Sequence, residues 1–368
     1  MGNRSSSYQN IEKVPTFQMT TMNSQRSYSK SDETDKETIF TIFRVKSMED
    51  SEIRGDPISE VKTKDYNSTF QIAYSTKKEK NIRNNQVDED EIVVKQTTLH
   101  NDAVFIAAVV DGHQGREAAE YVCSTLFDRI ANLLLQNPED IQMEIKNIFQ
   151  SVDSEYCQEK AVYIREILHP KRQCCFIHPV KSSEPQCHNI GCGCVLTLLC
   201  IHNNQLILVG LGDCGIVFSS KGRACYSLIR HNPNLEVQRI SSAGGQVINN
   251  RIDKQLGVSR SIGDVWFKKS YIDPKRMLLP QQDVVIAEPE VNMYPLSSDL
   301  EFCILASDGL FSIISFQMAI NIVKDCMLMG KTGEEACDEL VRRARSKTKD
   351  DISVIILFFH IPMPKAKD

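Results

Sequence analysis

The stretch Ala103-Val-Phe-Ile-Ala-Ala-Val-Val-Asp-Gly-His-Gln-Gly-Arg116 determines how the rest of the chain is interpreted. Residues 104–110 are apolar, rich in β-branched side chains and as long as one strand, which predicts a buried β-strand. The run ends abruptly at Asp111, Gly112 and His113. A buried strand that ends in this way delivers a carboxylate and a titratable imidazole to the rim of a sheet, where a loop can open toward solvent.

The composition is typical of a globular protein. The chain has 368 residues, enough for one large domain or two ordinary ones, and 41% of them are hydrophobic and 25% charged. Its formal net charge of -5 argues against a general nucleic-acid or membrane-surface binder. No apolar run approaches the roughly 20 residues of a membrane-spanning helix. We therefore expect a monomeric, cytoplasmic protein, with a nuclear location or weak membrane association as alternatives.

The number of cysteines, 13, is high and odd. Many of them lie in apolar segments, and the first residues are too polar for a secretory signal, so we expect reduced and mostly buried thiols. One group invites a zinc-site interpretation: Cys174, Cys175, His178, Cys187, His188, Cys192 and Cys194. Because its spacing fits no compact pattern of paired ligands, a metal-binding protein that works through its cysteines has little support.

Residues 1–65 are polar and without sustained periodicity, which predicts a disordered N-terminal extension. The extension starts with Met-Gly-x-x-x-Ser, the N-myristoylation pattern, in which Gly2 is the acceptor and Ser6 the final residue. One acyl chain without a polybasic flank gives at most weak or switchable membrane anchoring. The folded domain is predicted to cover residues 66–362, with an insertion at about 161–189 and a short polar tail at 363–368.

Apolar periodicity predicts strands with helices grouped between them. The predicted strands are 70–75, 88–94, 104–110, 195–201, 206–211, 215–218, 284–287, 302–306 and 352–359. Helices are predicted over about 118–137 and 141–152, after Ser315, and after Thr332, which forms a capping box with Glu335. The short hairpin turn at 202–205 implies antiparallel pairing. The pattern favours antiparallel sheets covered by helices over a doubly wound parallel sheet.

Acidic residues stand next to predicted strands at four places: Glu89 with Asp90, Asp111, Asp308, and Asp350. Each alone is an ordinary turn former, but these carboxylates brought together would repel one another unless cations compensate them. All-oxygen ligation suits Mg²⁺ or Mn²⁺ rather than Zn²⁺, and two such ions can activate a shared water. Since His113 is placed to act as a general acid, the pattern favours hydrolysis of a phosphate ester.

A series of short motifs runs through residues 70–360. It comprises Asp88-Glu-Asp90, Asp111-Gly-His-Gln-Gly115, Gly212-Asp213, Glu236 with Arg239-Ile240 and Gly244-Gly245, Leu256-Gly-Val-Ser-Arg-Ser-Ile-Gly-Asp264, Ser307-Asp-Gly309 and Asp350-Asp-Ile-Ser-Val354. In content and order the series resembles the metal-dependent protein serine/threonine phosphatases of type 2C. The resemblance implies an α+β fold, with a central sandwich of two antiparallel β-sheets flanked by helices on both sides. It also implies hydrolysis of phosphoserine or phosphothreonine by direct attack of a metal-bridging water.

The resemblance further implies a role for each matching residue. Asp111 would bridge two Mg²⁺ or Mn²⁺ ions, and Glu89, Asp90, Asp308, Asp350 and the Gly112 carbonyl would complete their ligands. His113 would protonate the departing serine or threonine oxygen of a phosphoprotein substrate. The family's phosphate-binding arginine lies shortly before the Glu-Asp pair; Arg83 is the nearest candidate here, although the spacing requires a two-residue insertion.

Several positions depart from the family pattern. Ser312 stands where the family often has an aspartate of a third metal site, so a third ion, which would use Asp213 and Asp308, is expected to be weak or absent. Other departures are Gly191-Cys-Gly-Cys194 for Gly-Ser-Thr-Ala, Arg230-His231 for Asp-His, and Asp351 for asparagine. They leave a second interpretation open, a catalytically weak or inactive pseudophosphatase that acts as a binding or scaffold module.

Overall fold

Two β-sheets packed face to face form the centre of the chain. The computed structural model describes residues 37–44, 61–64, 71–80, 88–99, 102–168, 191–268 and 282–359. The strands are β1 Glu37–Arg44, β2 Val61–Lys64, β3 Gln71–Glu79, β4 Asp90–Leu99, β5 Asp102–His113, β6 Gly193–His202, β7 Gln205–Leu211, β8 Gly215–Ser220, β9 Arg223–Ser227, β10 Val247–Ile248, β11 Arg251–Ile252, β12 Ile262–Gly263, β13 Glu290–Pro295, β14 Leu300–Ala306 and β15 Ile352–Phe359. The α-helices are α1 Glu117–Leu135, α2 Ile141–Leu168, α3 Val237–Ser242, α4 Asp308–Phe311, α5 Phe316–Leu328 and α6 Gly333–Arg345.

The first sheet has the strand order β2-β1-β3-β15-β14-β8-β9, and the second has the order β13-β7-β6-β5-β4, with β12 also paired to β6. Neighbouring strands run antiparallel, with one exception in the described chain, the parallel pair β1 and β3. A small ribbon of β10 and β11 stands apart. The predicted α+β fold built on antiparallel sheets is confirmed.

Three apolar clusters show how the layers pack. One lies between the sheets and includes Ile216, Leu305 and Ile355. A second lies between the second sheet and the helices α1 and α2, and a third lies between the first sheet and the helices α4, α5 and α6. The sandwich therefore has helices on both outer faces, as predicted. Among the described helices, none is both long and apolar enough to span a membrane.

Strand β5 explains why residues 104–110 are continuously apolar. Phe105, Ala107 and Val109 point into the cluster between the sheets, whereas the alternate residues, such as Ile106 and Val110, pack against the helices. Successive side chains of a strand point to opposite faces, and here both faces are covered. Residues 103–110 are all buried, and burial of each large aliphatic side chain contributes about 1.5–3 kcal/mol. The burial of β5 on both faces thus holds Asp111, which follows the apolar run, in a fixed position.

The predicted local signals of the hairpin and the C-terminal helices are confirmed. Asn203 and Asn204 join β6 to β7 with positive φ angles of 48° and 57°, the geometry of a two-residue turn between antiparallel strands. Thr332 accepts a hydrogen bond from the Glu335 amide, and the Glu335 carboxylate accepts one from the Thr332 amide, which completes the capping box of α6. Ser315 caps α5 through the Met318 amide.

Other parts of the chain differ from the sequence predictions. Strands β1 and β2 come from the segment predicted to be a disordered extension, and β1 joins the first sheet by pairing in parallel with β3. Helix α2 continues to Leu168, so the first residues of the predicted insertion are helical. Residues 284–287 form only an isolated bridge between Arg260 and Ile286, because the Val284 amide bonds to the Phe267 carbonyl instead of to a strand. The edge strand of the second sheet is β13, which the sequence analysis did not predict.

Candidate active site

The predicted site begins where β4 and β5 pair at one end of the second sheet. Asp90 lies opposite Asp111 in the register of these strands, and Asp111 lies opposite Val195 on β6. Next to this row, the Gly112 amide donates a hydrogen bond of 3.2 Å to the Glu89 carbonyl. A Cβ atom on Gly112 would approach that oxygen to 2.6 Å. Glycine at this position therefore allows the Glu89 backbone to lie directly beside the end of β5.

The first sheet delivers acids to the same place. Ala306 of β14 pairs with Gly215 of β8. Asp308 follows this pair by two residues and Asp213 precedes it by two, and besides burial the charge of Asp213 raises the pKa of Asp308. Asp350 lies two residues before β15, the other neighbour of β14. The Asp351 carboxylate accepts a hydrogen bond of 3.0 Å from the Glu89 amide and so links the two groups of acids directly. The two sheets therefore bring acidic residues from distant parts of the sequence to one end of the sandwich.

Electrostatics show that these carboxylates are close enough to oppose ionisation of one another. Burial, followed by the charges of Asp90 and Asp308, raises the pKa of Asp111 well above its ordinary value. Burial and the charge of Asp213 raise the pKa of Asp308 to about 7. Burial also raises the pKa of Asp90 to about 7, with a further contribution from Asp351. The cluster has more negative charge than the surrounding protein neutralises.

The donor chemistry fits a divalent cation. Asp90 is 1% exposed, and no described residue donates a hydrogen bond of 3.5 Å or less to its Oδ2 atom, although Ser353 and Ser307 lower its pKa against burial. A buried carboxylate oxygen without a donor is costly unless a cation compensates it. Carboxylate oxygens are the ligands that Mg²⁺ and Mn²⁺ prefer. Within the described part of the chain, however, no three His, Cys, Asp or Glu side chains already close around a common point. The acids thus match a cation in donor type and charge, without forming a closed cage.

His113 is held by a carboxylate that the sequence analysis did not single out as functional. Its Nε2 atom lies 3.0 Å from Oδ1 and 2.9 Å from Oδ2 of Asp264. The Asp264 side chain is only 1% exposed, whereas that of His113 is 25% exposed. Because an ionised carboxylate can only accept, Nε2 donates to Asp264, and Nδ1 is the ring nitrogen left for another partner.

Gly193 makes this pair possible. A Cβ atom at Gly193 would lie 2.4 Å from Asp264 Oδ2 and 2.5 Å from His113 Nε2. Any side chain larger than hydrogen would therefore push the imidazole and the carboxylate apart. The cysteine- and glycine-containing segment that departs from the family pattern thus contributes directly to the position of His113.

The loop that carries Asp264 is anchored to helix α2. Asp264 adopts a left-handed backbone conformation, with φ of 51°, and its carboxylate accepts a hydrogen bond from the Ser261 hydroxyl. The fully buried Lys268 ammonium lies 2.8 Å from an Asp153 oxygen, and the other Asp153 oxygen accepts from the Gly263 amide at 2.9 Å. This buried ion pair holds both sides of the turn against α2, which gives Asp264 little freedom to move.

Comparison with known proteins identifies the fold. The family model for "Protein phosphatase 2C" matches residues 74–352. This chain belongs to the protein phosphatase 2C family. It is 26% identical over 312 residues to the "Probable protein phosphatase 2C 42" of Oryza sativa subsp. japonica, covering 79% of this chain and 85% of the relative. It is also 28% identical over 278 residues to the "Probable protein phosphatase 2C 39" of Arabidopsis thaliana, covering 74% of this chain and 81% of the relative.

Solved structures agree on the fold of this phosphatase 2C family member. The serine-threonine phosphatase 2C from Toxoplasma gondii superposes with a TM-score of 0.53 at 17% identity, over 79% of this chain and 95% of that one. A C. elegans sex determining protein superposes with a TM-score of 0.54 at 20% identity, over 78% of this chain and 64% of that one. At such low identity these likenesses describe the architecture alone.

Not every predicted site residue can be placed. Arg83 and the lipidation candidate Gly2 lie outside the described residues. Ser312 lies at the end of α4, where its amide bonds to the Asp308 carbonyl, and it brings no carboxylate to the site. Asp264 and Asp351 could have been singled out from the sequence, because each lies in one of the quoted motifs. Their partners, His113 and the Glu89 amide, could not be assigned from spacing because they are far away in sequence.

The cysteines of this phosphatase 2C chain do not form a second centre in the described residues. All ten cysteines described there are free thiols, and most are buried. Cys192, a member of the zinc candidate group, donates to the Gln114 carbonyl at 2.9 Å, and burial raises its pKa to about 12. Five other members of that group, residues 174, 175, 178, 187 and 188, lie outside the described residues. The cysteines that the structure describes are therefore reduced thiols of low reactivity.

Replacement of Asp308 by asparagine should stabilise the metal-free protein above pH 7. Because the pKa of Asp308 is raised to about 7, the folded state is stabilised by the bound proton at low pH and loses that stabilisation as the pH rises through 7. We expect the free energy of unfolding of Asp308→Asn to exceed that of the unaltered protein by up to about 4 kcal/mol at pH 8, because the pKa rises from 3.8 to about 7 and each unit corresponds to about 1.4 kcal/mol. This gap should narrow toward pH 5. Denaturant titrations at pH 5 and pH 8, without divalent cations, measure this difference in unfolding free energy.

The same titrations with Mn²⁺ supply the control. A bound ion stabilises the folded state by mass action, so Mn²⁺ should stabilise the unaltered protein more than Asp308→Asn. Asp325→Asn, at an exposed position on α5, should behave like the unaltered protein throughout. Equal unfolding free energies for Asp308→Asn and the unaltered protein at pH 8 would contradict the electrostatic account of the site.

Proposed function

We propose that this protein is an active Mg²⁺- or Mn²⁺-dependent phosphatase that removes phosphate from phosphoserine and phosphothreonine residues of proteins. The observation that supports this most is the convergence of Asp90, Asp111 and Asp308 with a carboxylate-held His113 at one end of the sandwich. A module that only binds partners has no use for mutually repelling acids, which lower its stability. Membership of the phosphatase 2C family agrees with this assignment.

Two divalent ions are part of the proposal. Glu89, Asp90, Asp111, Asp308, Asp350 and the Gly112 carbonyl would hold them. When bound, such ions neutralise phosphoryl oxygens and lower the pKa of a coordinated water, which supplies a nucleophile at neutral pH. Burial raises the pKa of Glu89 above its ordinary value, and the hydrogen bond from the Gly115 backbone opposes this only in part. A bound cation would therefore favour the charged, ligating form of this carboxylate.

His113 is the proposed general acid. Burial alone would lower its pKa, but the charge of Asp264 and the hydrogen bond to it raise the pKa above its ordinary value. The imidazole is therefore more often protonated near neutral pH than a free histidine. Since Nε2 donates to Asp264, the proton for the departing serine or threonine oxygen would come from Nδ1. Asp264 acts as a positioning residue that sets the tautomer and the direction of the ring.

A pseudophosphatase is the second candidate, and one observation favours it. Among the described residues, no group of three His, Cys, Asp or Glu side chains is already arranged to hold a metal ion, so a cation would have to draw the carboxylates together. A protein that has the fold without binding ions would serve as a scaffold for phosphoproteins. The two candidates differ in one measurable property, because only the enzyme releases phosphate in a metal-dependent way.

Phosphate release from a phosphothreonine peptide in the presence of Mn²⁺ should separate the two candidates. We expect steady release by the unaltered protein, none after chelation of Mn²⁺, and a loss of at least about 100-fold in Asp308→Ala, since a metal ligand is removed. The exposed Asp325→Ala is the matched control and should retain full activity. If the unaltered protein binds Mn²⁺ and still releases no phosphate, the enzyme proposal is wrong and the scaffold is favoured.

The leaving group tests the role of His113. An alkyl phosphate needs a proton on its departing oxygen, whereas p-nitrophenolate leaves without one. His113→Ala should therefore slow a phosphoserine peptide about 100-fold or more and p-nitrophenyl phosphate far less. Asp264→Asn should show the same selectivity with a smaller loss, and Asp253→Asn, in an exposed turn, should show none. Equal losses on both substrates would remove the general-acid role.

A further inference from the structure

Trp266, the one tryptophan of the chain, lies at the surface next to the proposed general acid. Its side chain is 45% exposed, whereas Val265 before it and Lys268 two residues after it are fully buried. Isolated exposed apolar side chains are ordinary on protein surfaces. This one differs in its place, because it stands two residues after Asp264, the carboxylate that holds His113.

Two glycines show how close the indole lies to His113. A Cβ atom at Gly191 would lie 3.2 Å from Trp266 Nε1 and 2.9 Å from Oε1 of Gln114, the residue that follows His113. A Cβ atom at Gly193 would lie 2.5 Å from His113 Nε2. Because two residues span at most about 7 Å, the indole nitrogen and the imidazole are no more than roughly 13 Å apart. An extended peptide covers that distance with about four residues.

The backbone that carries Trp266 is fixed on both sides. The Asp264 amide donates to the Cys192 carbonyl at 3.0 Å, and the Phe267 amide donates to the Asp264 carbonyl at 2.8 Å. The Phe267 carbonyl in turn accepts from the Val284 amide at 3.1 Å. An aromatic side chain on a fixed backbone offers a large contact surface at a small entropic cost of binding. The indole is therefore prepared for contact with a ligand.

We propose that Trp266 is a specificity-determining residue, on which an apolar side chain of the substrate packs within about four residues of the phosphoserine or phosphothreonine. This inference rests on the proposed function, because it concerns the protein substrate of the same site. The departing oxygen must lie at His113 to receive its proton. The adjoining residues of the substrate therefore cross the surface around His113, and the indole is part of that surface. Tryptophan is among the residues that contribute most as binding anchors.

Two phosphoserine peptides test this selectivity, one with leucines and one with glycines at the second to fourth residues on both sides of the phosphoserine. The unaltered protein should have the higher kcat/KM for the leucine peptide. Trp266→Ala should lower the ratio of the two kcat/KM values at least about tenfold, the usual scale for loss of an aromatic anchor, and Trp266→Phe should retain most of the ratio. Met329→Ala, at a 71% exposed position at the end of α5, is the matched control and should leave the ratio unchanged.

The ratio separates a contact with substrate from a structural effect on the general acid. Both peptides have the same serine leaving group, so damage to the position of His113 or Asp264 slows them equally. An unchanged ratio in Trp266→Ala therefore overturns the inference, whether or not the two rates fall together.

The fluorescence of the unaltered protein gives a second measurement, which requires no variant and no turnover. Because the chain has one tryptophan, its tryptophan emission comes from Trp266 alone. The leucine peptide, with a non-hydrolysable phosphonate in place of the phosphate ester and with Mg²⁺ present, should shift this emission to shorter wavelength as the indole loses contact with water. The glycine peptide should shift it far less. Emission that stays unchanged at the highest concentration of the leucine peptide overturns the inference.

Failure of this inference can be told apart from failure of the proposed function. If the unaltered protein releases phosphate from both peptides but the leucine peptide leaves the emission unchanged, the Trp266 inference is overturned and the proposed function stands. If the protein binds Mg²⁺ and releases phosphate from neither peptide, the proposed function is overturned. The emission of Trp266 then still decides whether a phosphopeptide packs on the indole.

Discussion

Mutual repulsion among carboxylates at one end of a β-sandwich is the constraint on which the rest of this structure depends. Asp90, Asp111 and Asp308 come from three strand ends, and besides burial the charge of Asp90 raises the pKa of both Asp111 and Asp308. Such an arrangement costs stability in the absence of a cation. The apolar layer between the sheets and the two layers beneath the helices offset that cost. The large apolar core thus stabilises the folded chain against the repulsion among these carboxylates.

The chain deals with this excess of negative charge through fixed partners. Asp264 faces His113 instead of the acids, and the glycine at position 193 leaves just enough space for the pair. Asp351 accepts from the Glu89 amide, which uses one carboxylate to join the two sheets. In this view, what remains uncompensated around Asp111 is the part of the cluster that is left for mobile cations.

The sequence was most informative where structure depends on local patterns. The apolar run of β5, the Asn203–Asn204 turn and the capping box of α6 all follow from residues close together in the chain. The strand predicted at 284–287 is wrong because tertiary contacts with Phe267 replace strand pairing there. The contact between His113 and Asp264 joins residues 151 positions apart, and the space at Gly193 that permits it exists only in the folded chain. The motifs indicated which acids matter, whereas their partners required the fold.

The most direct test of the account is anomalous X-ray diffraction, at the manganese absorption edge, from crystals of the protein soaked in Mn²⁺. The account predicts anomalous peaks within ligand distance of the Asp111 carboxylate, with Asp90 or Asp308 oxygens drawn toward them and no peak between Asp213 and Asp308. Absence of any peak near Asp111 at saturating Mn²⁺ would contradict the central claim that the converging carboxylates of this phosphatase 2C fold form a metal centre.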